Sequence, residues 1–199
     1  SVEIPEEPPA PPEPTEEERA AERIETLLSS MTLEEKAGQL FFARCPEDGA
    51  LEDIAAYHLG GYLLFGRDFK DAAGNWLTAQ QVTEKLQSYQ AAAAVPLLIG
   101  ADEEGGTVAR ASWNPNLFPG GKCKSPQWLL KHQSGEGDVF AEDAREKNSV
   151  LLRCGVNVNL APVCDVSTDP GSFIYDRTLG LDAAATADYA ERVVAAMRE

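Results

Sequence analysis

Nowhere in its 199 residues does the chain hold the roughly 20 consecutive apolar residues of a membrane-spanning helix, so no such span is expected. Histidine is scarce: His58 and His132 lie far apart and near no carboxylate cluster, which gives a metal site no support. Cys45, Cys123, Cys154 and Cys164 follow no CxxC or Cys/His ligand spacing. Free, partly buried thiols are the default reading, with a structural disulfide left open. Cys164 is expected inside a core strand and Cys154 at a helix end. No GxGxxG or GxxxxGK[ST] follows any apolar run, which counts against a nucleotide-binding doubly wound fold. Basic residues are also short: the formal net charge is −16, a surface that repels phosphate backbones and argues against nucleic acid as a partner.

That charge is unevenly placed. The first 18 residues, SVEIPEEPPAPPEPTEEE, carry seven glutamates, six prolines and no Lys or Arg. Such a composition makes an extended, self-repelling tether rather than a folded unit, and residues 1–18 are assigned as a stalk. With Ser1 in first place, the chain reads as the mature part of a longer, exported product from which a targeting segment or anchor was removed. The rival reading is the trimmed tail of a cytoplasmic protein.

From Thr15 the pattern turns helical, and Thr32 with Glu35 forms a second capping signature. QLFFARC, GGYLLFG, VPLLIGAD and VNVNLAPVCDV then alternate with helical stretches. These are continuous apolar runs, the mark of parallel strands buried on both faces. Both a doubly wound sheet and a (β/α) barrel fit the rhythm. The barrel is favoured because polar groups gather where strands end: GRDF, then ADEEGG, then CDV with Asp169, Asp176 and Arg177 beyond it. The expected fold is therefore α/β, the first half of a (β/α)8 TIM-type barrel with four parallel strands, over residues 19–199.

Asp102 ends the third run, where a carboxylate would face the barrel mouth and accept hydrogen bonds from neighbouring hydroxyls. Gly105 and Gly106 let the backbone turn sharply. Taken alone, the motif reads sooner as a capped β-to-α turn, where Asp and Gly are commonplace. Arg110 and Arg177 offer rigid forks of donors for sugar oxygens, while Arg177 has the alternative of pairing with Asp165 or Asp176. Trp113 and Phe118 form either an aromatic wall for a sugar or loop packing.

GGYLLFGRDF, LLIGADEEGGTVAR, LFP, GVNVNLAPVCDV and DRTLG, in this order and spacing, resemble the N-terminal barrel of glycoside hydrolase family 3 over about 180 residues. The resemblance is to its β-N-acetylhexosaminidase branch, with D-E-E-G-G-T-V-A-R where that branch has D-Q-E-G-G-x-V-x-R, so Glu103 stands in the Gln position. It implies that Asp102, Arg110 and Arg177 bind the terminal N-acetylated sugar. It also implies a retaining enzyme without metal or cofactor, acting on GlcNAc linkages of cell-wall or chitin type. The K-H-F-P-G-H-G loop that supplies the acid/base histidine, and the later nucleophilic aspartate, do not occur here, so no catalytic residue is assigned and both are expected beyond Glu199. Asp165, Asp169 and Asp176 are given no catalytic role. A half barrel alone is expected to be inactive and prone to self-association. A non-catalytic sugar-binding module and a β-glucosidase of the same family are the alternatives.

Overall fold

The computed structural model describes residues 13–134 and 136–199; most of the expected tether, residues 1–12, lies outside them. Helix α1, Glu16–Ser30, begins at Thr15, so the last three residues assigned to the tether are its first turn. The Thr15 hydroxyl oxygen accepts the Glu18 amide while the Glu18 carboxylate accepts the Thr15 amide, and Thr32 with Glu35 repeats the box at α2, Leu33–Gln39. Both caps satisfy amides that have no partner inside the helix.

β1 (Phe42–Arg44), β2 (Gly61–Leu64), β3 (Leu98–Ala101) and β4 (Val158–Asn159) follow in order, with α3 (Ala50–Tyr57), α4 (Ala79–Ala92), α5 (Pro126–His132) and α6 (Val139–Cys154) between them. Helix α7, Ala183–Met197, closes the chain. The four strands form one parallel sheet in the order β1-β2-β3-β4, with Gly61 opposite both Phe42 and Leu98, and Gly100 opposite Val158. The sheet does not close on itself: among the described residues β1 and β4 are free edges. This is the expected half of a barrel.

The main core lies between the sheet and its covering helices, built from Ile54, Leu64, Val82, Leu86, Ile99, Leu151 and Val156 with Tyr62 edge-on to Tyr89. Leu129, Phe140, Ala144, Tyr189 and Val193 form a second cluster joining α5, α6 and α7. Gly100 is glycine for a reason of space: a Cβ there would lie 2.4 Å from the Phe42 ring.

VNVNLAPVCDV departs from expectation. Only Val158–Asn159 is strand, although the Asn157 and Leu160 amides still donate to the Ile99 and Ala101 carbonyls. The asparagine side chains extend the pairing, since Asn157 Oδ1 accepts the Ile99 amide at 2.7 Å and its Nδ2 donates to the Leu97 carbonyl at 3.0 Å. Pro162 then has no N–H to give a ladder. Cys164 is consequently exposed in a loop, not buried in a strand, whereas Cys154 does end α6.

Candidate sugar-binding site

The site is built where β3 ends. Asp102 follows the last strand residue, and its Oδ2 accepts Arg110 Nη2 at 2.9 Å. Glu103, wholly shielded from solvent, turns the other way. Its Oε2 accepts the amides of Arg110, Ala111 and Ser112 at 3.0, 2.8 and 3.1 Å, and its Oε1 accepts the Ser112 hydroxyl. One buried carboxylate thereby pins the Arg110–Ser112 backbone against the strand end, which sets where the Arg110 side chain starts. Gly105 makes the return possible: its φ is +94°, and a Cβ there would lie 2.0 Å from the Lys124 carbonyl oxygen.

Glu104, also buried, reaches across the sheet end to Arg177. Arg177 Nε donates to Oε2 at 2.9 Å and Nη2 to Oε1 at 2.7 Å, a two-point pair that holds the guanidinium in one plane. Arg177 sits in a 3-10 turn, Tyr175–Arg177, within the loop after β4. Its pKa is raised further, first by these hydrogen bonds, with burial opposing and with Glu104, Asp102 and Asp165 adding their fields. The partner of Arg177 is thus Glu104, not Asp165 or Asp176, which are both exposed. Asp169 serves its own loop by accepting the Gly171 amide at 2.9 Å.

Phe118 is part of the core and forms no sugar wall, while Trp113 is half exposed with Lys122 Nζ 4.5 Å above its ring. Residues that sequence reasoning missed lie at the end of β2. Phe65 carries Arg44 and Arg110 over its ring, at 4.6 and 5.1 Å from the centroid. Asp68 is buried and caps the turn through the Phe65 amide at 2.7 Å. Burial pushes its carboxyl above the usual range, while the Phe65 amide, Lys85, Arg67 and Arg44 pull it down. A polar run, GRDF, was the only trace of this cluster in the sequence.

Among the described residues no group of three or more His, Cys, Asp or Glu is placed to hold a metal ion. What the mouth offers is two oriented guanidiniums and one partly exposed carboxylate, a donor–acceptor set suited to hydroxyl and amide oxygens.

A family model described as the glycosyl hydrolase family 3 N terminal domain matches residues 32–199. The chain belongs to glycosyl hydrolase family 3. A β-hexosaminidase of Thiobacillus denitrificans is 29% identical over 71% of this chain and 37% of its own length. A β-glucosidase C of Emericella nidulans is 31% identical over 75% of this chain and 25% of its own length. The solved family 3 β-N-acetylglucosaminidase from a Paenibacillus strain superposes with a TM-score of 0.66 at 26% identity, covering 85% of this chain and 31% of that one. This family 3 chain therefore spans little more than a third of the curated β-hexosaminidase it matches.

Proposed function

We propose that the chain supplies the sugar-gripping half of a retaining glycosidase that removes terminal β-linked N-acetylglucosamine. Asp102, Arg110 and Arg177 would hold the hydroxyls and the N-acetyl group of the terminal ring. The observation that carries this reading is the Asp102–Arg110 pair at the end of β3, with Arg177 locked nearby by Glu104. Donors fixed before the ligand arrives lose little entropy on binding. The retaining mechanism also needs a proton donor and a carboxylate nucleophile flanking the glycosidic bond. We assign both to the part of the relatives that this chain does not span. Asp102 is paired with a guanidinium and Glu103 and Glu104 are buried and fully engaged, which suits gripping rather than attack. The reading extends to GlcNAc-containing glycans of cell-wall or chitin type, met outside the cytoplasm by an enzyme held on its acidic stalk. The DEEGG stretch favours N-acetylhexosamine over glucose as the terminal sugar.

The test is chromophore release from aryl N-acetyl-β-glucosaminide and aryl β-glucoside by this chain joined to the remaining barrel strands of the family. Turnover of the N-acetylated substrate, lost in Asp102→Ala, supports the reading. Preference for the glucoside overturns the sugar assignment. Equal turnover by the 199 residues alone overturns the placement of the catalytic groups.

A further inference from the structure

Arg110 is held by surprisingly few polar contacts. Its Nη2 donates to Asp102, its Nη1 lies 3.4 Å from the Ala109 carbonyl, and its Nε is shut off from solvent without a partner among the described residues. What faces the guanidinium is the ring of Phe65, 5.1 Å away. A planar cation over an aromatic face is attracted by the ring's quadrupole, and the stack also fixes the plane of the fork.

Phe65 is itself fixed. Its amide is held by the buried Asp68 carboxylate, and the Asp68 carbonyl accepts Lys85 Nζ from α4 at 2.8 Å. Arg44, at the end of β1, lies over the same ring at 4.6 Å. Three successive strand ends are therefore connected through one aromatic side chain: Arg44 as the last residue of β1, Phe65 just after β2, and the Asp102–Arg110 pair after β3.

We propose that Phe65 is a positioning residue for the sugar site, orienting the Arg110 guanidinium so that it bonds Asp102 and presents its remaining donors to the ligand. This rests on the sugar-binding reading for its consequence but not for its geometry. A leucine at 65 fills similar space without a π face, and a tyrosine keeps the face. The proposal therefore separates ring from bulk.

The experiment uses the 199-residue chain with Phe65→Leu and Phe65→Tyr. Two quantities are read: the ring-current displacement of the Arg110 side-chain NMR signals, assigned by their loss in Arg110→Lys, and the affinity for N-acetylglucosamine. Near-UV circular dichroism identifies variants that fold. In folded Phe65→Leu the Arg110 signals return to the positions of a solvated arginine and affinity falls about tenfold, the scale of one cation–π contact in a partly desolvated site. Phe65→Tyr retains both. Unchanged Arg110 signals in Phe65→Leu, or unchanged affinity despite moved signals, overturn the proposal. If the wild-type chain binds no sugar while its Arg110 signals are ring-shifted and lose that shift in Phe65→Leu, the sugar reading fails and the positioning of Arg110 by Phe65 stands. Should Phe65→Leu not fold, loss of affinity in Phe65→Tyr overturns the proposal, and its retention with the ring shift intact supports it.

Discussion

Glu104 and Arg177 lie 73 residues apart in the chain and meet in a two-point ion pair, with N···O distances of 2.9 and 2.7 Å. Glu104 is buried, so removing its charge leaves Arg177 partnerless while removing Arg177 leaves a buried carboxylate. The second loss is the greater, because an unpaired buried charge costs more than an unpaired charge that can turn to solvent. Arg177→Ala is expected to destabilise the fold by about 3 kcal/mol and Glu104→Gln by about 1–2 kcal/mol. Urea denaturation midpoints of the two variants check the order.

Glu103 gives a sharper contrast. Its four acceptor contacts hold the Arg110–Ser112 backbone, so Glu103→Ala strands three amides and a hydroxyl in the interior. A loss of about 3–5 kcal/mol is expected. Glu103→Gln keeps an amide oxygen for the backbone N–H groups and turns its NH2 to the Ser112 hydroxyl oxygen, which reverses one bond without breaking it. Its cost is expected below about 1.5 kcal/mol. Equal losses in the two variants would refute this account of the turn.

Legibility in the sequence followed distance along the chain. The cap at Thr15 and the Thr32–Glu35 box are local and were readable, as were the four apolar runs that became strands. The Asp102–Arg110 pairing, eight residues apart, was foreshadowed only as two binding groups near one strand end. Glu104 was given no role, because nothing local tells which of the acids in DEEGG meets an arginine 73 residues on. The length of β4 was overread for a physical reason: Asn157 makes side-chain bonds that substitute for a ladder, and apolar content alone does not show where backbone pairing stops.

Acid should loosen the joint between α6 and α7. Asp138 caps α6 and accepts both Arg192 Nε and Nη2, at 2.9 and 2.7 Å. Its pKa is lowered, chiefly by the Arg192 hydrogen bonds and against burial. A lowered folded pKa means stabilisation that is full above the ordinary Asp value of 3.8 and is lost as pH falls through the folded value. Asp138→Asn should cost about 1 kcal/mol at pH 6, since solvent screens this half-exposed pair, and the gap from wild type should shrink below pH 3.8. Thermal melts of both proteins across that window check it.

The four thiols should separate by accessibility. Burial pushes Cys123 up to about 12, with Glu103 adding to it, and raises Cys45 and Cys154 as well. Cys164 is the exposed one. Iodoacetamide at neutral pH should label Cys164 first, with the other three protected until the chain unfolds. Mass-spectrometric mapping of early labelling reads this directly.

Whether the end of β3 grips an N-acetylated sugar is decided by titrating the chain with N-acetylglucosamine and with glucose, beside Asp102→Ala. N-acetylglucosamine should bind in preference to glucose, with affinity weakened at least about tenfold by Asp102→Ala, as expected for loss of a charged hydrogen bond. Affinity for N-acetylglucosamine that is the same in wild type and Asp102→Ala, with both proteins folded, would contradict it.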